Sequence, residues 1–187
     1  MEEKEFHRRS IRIPGGDYSR PGTYFITICA AHRRNIFGAV EAGKIILSPL
    51  GEIVRNCWVQ IPEHFPAATI KNYAIMPNHL HGIIGLGVGA RYIVPSSDPG
   101  ARSREHFQKP TRGTIPTIVR TFKAAVTRSA RKKLGIRDQM IWQSNYFERV
   151  LRDGREVSLA LQYIAMNPSL WSRDEENDER EKEWNPG

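Results

Sequence analysis

Residues 70–76 and 79–86 are two apolar, β-branched runs joined by Pro77-Asn78, and they read as a hairpin carrying apolar residues on both faces. The second run opens with His79-Leu80-His81. Side chains two apart on a strand share a face, so the two imidazoles project together while Leu80 projects oppositely. Both rings then need polar partners on a face that continues with Ile83. Far downstream, Tyr163 and Asn167 stand four apart, one helical turn from each other on a common face. Two imidazoles, an amide oxygen and a phenol are parts that can hold a divalent metal beside an oxygen nucleophile. Whether that strand and that helix meet decides what the chain can do.

The elements around these residues follow from their patterning. Tyr24-Phe25-Ile26-Thr27-Ile28-Cys29 is aromatic and β-branched and predicts a central strand, and residues 44–47 predict a short one. Ser48 or Pro49 opens a helix through Ile61, with Pro62 expected to end it. Residues 114–134 predict a helix whose apolar stripe includes Ile115, Ile118, Val119, Phe122 and Val126, stopped by Gly135. Residues 142–151 contain a strand candidate. Asp153 and Glu156 then have capping-box spacing and open the helix bearing Tyr163, which buries Val157, Ala160, Leu161 and Ile164 and which Pro168 should close. The succession of strand, helix, two strands, helix, strand and a further helix is that of an α+β, ferredoxin-like fold: a split βαβ antiparallel sheet backed by helices, with an extra C-terminal helix carrying the tyrosine. At 187 residues one domain is expected, over 23–172. A charged arm over 1–22, a flexible Gly-, Ser- and Arg-rich insertion over 87–113 and an acidic tail over 173–187 complete the chain.

Charge narrows the function. The formal net charge is +8, and between Arg102 and Arg137 eleven basic residues face a single acid, Glu105. Density of one sign on this scale is the electrostatic footprint of a nucleic-acid binder, and Arg120, Lys123 and Arg128 on the predicted helix are candidate contacts to a phosphate backbone. No run of about 18 apolar residues predicts a membrane span. The first ten residues lack the apolar core of a secretion signal. Two cysteines, Cys29 and Cys57, without a Cys-x-x-Cys pair argue against a disulfide framework or zinc knuckle and suit a reducing cytoplasm. There is no Gly-Lys-Ser/Thr loop for nucleotide hydrolysis.

Each candidate also has a plainer reading. The histidines can be packed strand residues with hydrogen-bond partners; as ligands, joined by an amide oxygen with positions open to water and phosphate, they suit Mg²⁺ or Mn²⁺ better than a closed zinc site. Tyrosines at a helix–sheet boundary commonly bury the ring for packing alone. Asn167 before Pro168 can be a helix C-terminal residue. His32, His64 and His106 fall in predicted loops or termini and receive no role, and the Trp142-Gln143 pair reads as core and edge.

Five blocks occur in order: Tyr24-Phe25-Ile26-Thr27, Met76-Pro77-Asn78-His79-Leu80-His81-Gly82, Ile141-Trp142-Gln143, residues 149–153, and Tyr163-Ile164-Ala165-Met166-Asn167-Pro168. Together they resemble the HUH single-tyrosine transposases, most of all the REP-associated tyrosine transposases, over roughly residues 24–171. The 87–113 excursion and the acidic tail have no counterpart in that pattern. The resemblance implies a ferredoxin-like core and metal-dependent cleavage and rejoining of single-stranded DNA beside hairpins like those of repetitive extragenic palindromes. It implies His79, His81 and Asn167 as ligands of a divalent metal, and Tyr163 as the nucleophile that forms a 5′-phosphotyrosine link and frees a 3′-hydroxyl. A swapped tyrosine helix occurs in such relatives, so the resemblance leaves both a monomer and a homodimer open for this chain. Two other classes stand beside this reading: a non-catalytic hairpin-binding protein on the same fold, and an RNA-binding protein of RRM type. The latter is disfavoured because the strands lack the aromatic, glycine-rich stacking pattern.

Overall fold

Strand β1 (Gly22–Cys29) sends Tyr24, Ile26 and Ile28 to one face and Phe25, Thr27 and Cys29 to the other, and the first three are buried. In the computed structural model, which describes residues 21–87, 113–137 and 139–173, this strand lies inside a four-stranded sheet. It pairs antiparallel with β5 (His79–Leu86), in a register that sets Thr27 opposite His81 and Cys29 opposite His79. On its other side it pairs antiparallel with β6 (Phe147–Leu151). Strand β4 (Ala68–Ile75) pairs antiparallel with the far edge of β5, giving the order β4-β5-β1-β6. Strands β1 and β4 therefore run parallel with β5 between them, the split βαβ arrangement of the ferredoxin-like fold.

The two sheet faces bury different cores. On one, Tyr24, Ile26, Ile28, Leu80 and Ile84 pack against helix α1 (Pro49–Val59) and helix α3 (Ile115–Leu134). Trp58 of α1 and Phe122 of α3 meet edge to face with centroids 5.1 Å apart. A Cβ on Gly82 would lie 2.1 Å from the Trp58 ring, so only glycine lets that indole rest on β5. Burying each such large apolar side chain stabilises the fold by about 1.5–3 kcal/mol. On the opposite face helix α4 (Gly154–Met166) covers a smaller cluster of Ile83, Leu151 and Ile164, flanked by Phe25, Val157, Ala160 and Leu161. No helix among the described residues is long and apolar enough to cross a membrane.

The structure departs from the sequence expectations at several points. A strand β2 (Gly38–Glu41) pairs with β3 (Lys44–Leu47) as a separate hairpin. Its turn residues Ala42 and Gly43 have φ of 48° and 73°, the paired positive values of a tight hairpin turn that Ala-Gly signals less clearly than Asn-Gly. Helix α1 stops at Val59 rather than Ile61, and Pro62 instead sits in the first turn of a short helix α2 (Ile61–His64), where a missing N–H is harmless. Trp142 makes only an isolated bridge to Ala30, so the last sheet strand begins at Phe147. Pro168 ends the α-helical ladder but not the helical path, which continues as a 3₁₀ segment, Asn167–Arg173. The expected arm, insertion and acidic tail lie, apart from their end residues, outside the described residues.

Candidate active site

Both histidines project to the α4 side of the sheet, on the face shared by Thr27 and Cys29. Their Nε2 atoms are 2.9 Å apart. The hydrogen-bond network fixes the protonation of His79. Asn78 Nδ2 donates to the Arg33 carbonyl at 3.1 Å, which leaves Asn78 Oδ1 to accept from His79 Nδ1–H at 2.8 Å. The lone pair of His79 is therefore on Nε2. Burial, aided by the Arg33 charge, pulls the pKa of His79 down to about 3, so this ring stays neutral in ordinary buffers. The short contact between rings then requires a proton on His81 Nε2, with His81 Nδ1 accepting from the Thr27 hydroxyl at 2.8 Å. A hydroxyl both donates and accepts, so Thr27 can equally accept a hydrogen bond from Nδ1–H in the other tautomer, which turns the Nε2 lone pair to a cation.

Helix α4 brings the remaining groups to the same face. Asp153 caps it by accepting from Glu156 N at 2.8 Å. Glu156 returns a carboxylate oxygen to Arg152 N, one residue earlier than in a standard capping box. The Tyr163 hydroxyl lies 3.3 Å from His81 Nε2 of the same chain, and its ring meets those of His81 and Phe25 edge-on. The side chain is 46% exposed, open to a large substrate. One turn on, Asn167 is buried, and its Oδ1 has no hydrogen-bond partner. A buried orphan acceptor costs about 1–3 kcal/mol and calls for a ligand. Trp171 lies against His79 with ring centroids 6.0 Å apart. Among the described residues no three His, Cys, Asp or Glu side chains cluster as metal ligands. The two imidazoles meet Nε2 to Nε2, and Asn167 contributes an unpartnered amide oxygen one helical turn beyond Tyr163.

The three candidate contacts to a phosphate backbone all lie on α3. Arg120 and Arg128 are exposed on α3, which packs on the other face of the sheet. The Lys123 ammonium donates to the carbonyls of Gln143 at 2.8 Å and Asn145 at 2.9 Å, and stands over the Tyr146 ring. Burial lowers its pKa to about 8, with Cys29 opposing the shift. Charge and helical spacing cannot distinguish a lysine facing solvent from one whose stem leans onto a neighbouring loop. Trp142 packs between Phe37 and Phe122, in keeping with its core reading.

Beside Tyr163 a cavity of ≈ 620 Å³ opens over β1 and β6. Phe25, Phe147, Leu159 and Ala160 give it apolar walls, and Arg33, Gln143, Asn145 and Arg149 supply polar groups. Sequence reading missed Arg33 and Thr27 and took Asn78 for a turn residue only. Thr27 was within reach, since it shares strand parity with Phe25 and Cys29 on the face of β1 that meets the histidines. Arg33 carried no signal.

No protein-family model matches the chain. An uncharacterized protein of Haemophilus influenzae is 42% identical over 171 residues, spanning 90% of this chain and 92% of its own length. A second Haemophilus influenzae protein, assigned to the REP-associated tyrosine transposases, is 27% identical over 154 residues, 81% of this chain and 73% of its own. The solved structure of a REP-associated tyrosine transposase bound to a REP hairpin superposes with a TM-score of 0.51 at 19% identity, covering 88% of this chain and 73% of that one, a likeness of fold. The ordered motif blocks, the sheet order and these relatives agree in what the chain is similar to: the REP-associated tyrosine transposases.

Proposed function

We propose that this chain cuts and rejoins single-stranded DNA beside a hairpin, through a transient covalent bond to Tyr163. The observation that carries the proposal is the 3.3 Å approach of the Tyr163 hydroxyl to His81 Nε2 within one chain; one helical turn on, the buried amide oxygen of Asn167 has no hydrogen-bond partner. His79, His81 and Asn167 would hold Mg²⁺ or Mn²⁺, a choice suited to nitrogen and oxygen donors with positions left open. When bound, the ion would neutralise charge on the scissile phosphate and fix its orientation.

Tyr163 supplies the nucleophile. A phenol is a weak one until it loses its proton, and positive charge at its edge favours the phenolate. Its oxygen attacks phosphorus as the phenolic proton leaves to solvent. The bond from phosphorus to O3′ breaks, and its electron pair stays on O3′, which takes a proton to become a free hydroxyl. The DNA end is then a 5′-phosphotyrosine. One phosphodiester has replaced another, so a 3′-hydroxyl can reverse the step and join strands without nucleotide hydrolysis. The hairpin partner is supported by the related structure, which holds a REP hairpin.

A labelled single strand carrying a hairpin and incubated with Mn²⁺ should yield a denaturation-resistant protein–DNA adduct, and excess chelator should erase it. Hairpin binding that ignores chelator, with no adduct under Mn²⁺ or Mg²⁺, would favour the non-catalytic binder instead.

A further inference from the structure

His32 and Arg33 have φ of 55° and 49°, two successive left-handed residues, neither of them glycine. Side chains disfavour that conformation, and it persists where the surroundings impose it. Here they do. Ala30 N donates to the Asn78 carbonyl at 2.7 Å, and Asn78 Nδ2 donates to the Arg33 carbonyl at 3.1 Å. The same Asn78 amide accepts from His79, so one side chain fixes both the imidazole and the Arg33 backbone. The result places Arg33 on the wall of the cavity that also holds His81 and Tyr163. Arg149 is another cation on that wall, ion-paired with Glu156 at 3.4 Å.

We infer that Arg33 is a further catalytic residue, whose guanidinium pairs with the non-bridging oxygens of the scissile phosphodiester. The inference rests on the strand-transfer reading above. A phosphate that reaches the Tyr163 oxygen through this cavity enters a space that Arg33 also lines. A planar guanidinium offers two parallel donors to two phosphate oxygens. As the tyrosine–phosphorus bond forms and the bond to O3′ breaks, charge shifts on those oxygens, and a fixed cation stabilises that change.

The test compares wild type, Arg33→Gln and Arg33→Lys in single-turnover adduct formation at saturating hairpin DNA with Mn²⁺. Each is run with the natural linkage and with an uncharged methylphosphonate at the cleaved position. Arg33→Gln should be slower by on the order of 10²-fold, with Mn²⁺ affinity unchanged, and Arg33→Lys should recover part of the rate. The methylphosphonate should slow wild type far more than Arg33→Gln, because the variant has no charge partner left to lose. Arg33→Gln that reacts like wild type would overturn the assignment. So would a rate loss matched by lost Mn²⁺ affinity, because Arg33 would then act only through Asn78 and His79. If wild type forms no adduct, the strand-transfer reading falls and takes this inference with it; a wild-type adduct that Arg33→Gln forms equally well removes Arg33 alone.

Discussion

Tyr163→Phe should lose covalent attachment to DNA by roughly 10³-fold or more, since no other oxygen on the helix replaces the missing nucleophile. The substitution removes one oxygen from a side chain that is 46% exposed, and the ring contacts to Phe25 and His81 remain. Stability should therefore change by less than about 1 kcal/mol. Hairpin affinity should hold, because phosphate and base contacts do not pass through the phenol oxygen. Binding without adduct separates lost chemistry from lost fold. Adduct formed at the wild-type rate by Tyr163→Phe would remove the nucleophile assignment.

The other large effect belongs to the imidazole pair. His81→Ala should weaken Mn²⁺ binding by more than the roughly 10–100-fold that loss of an outer-shell partner costs, and adduct formation should fall with it. His79→Ala should behave alike. Thr27→Val and Asn78→Ala touch no metal directly, yet they release His81 Nδ1 and His79 Nδ1 from the partners that set their tautomers. Both should fall inside that 10–100-fold range. Titration calorimetry with Mn²⁺ in the absence of DNA reads these differences without reference to activity. Unchanged affinity in His81→Ala would mean that the histidines pack and do not ligate.

What the sequence made legible here was periodicity. Alternation on β5 placed His79 and His81 together, and the four-residue spacing on α4 placed Tyr163 and Asn167 together. The order of elements then implied the split βαβ sheet that is observed. Periodicity within an element does not say which sheet face a helix covers. Arg120 and Arg128, read from charge and helix face as contacts to a phosphate backbone, sit on the layer opposite the tyrosine helix. Lys123 was illegible for a related reason: its carbonyl partners, Gln143 and Asn145, are distant in sequence and come into reach only through the fold. Arg33 depends on left-handed backbone at non-glycine residues, a conformation that Asn78 imposes from 45 positions away and no local pattern announces.

The most direct measurement locates the covalent bond itself. Wild-type protein is incubated with Mn²⁺ and a hairpin-bearing single strand, the adduct is digested with nuclease and protease, and the peptides are analysed by mass spectrometry. The peptide containing Tyr163 should carry a 5′-linked nucleotide on the phenolic oxygen. A nucleotide attached to any other residue, or no nucleotide-bearing peptide at all, would contradict the account.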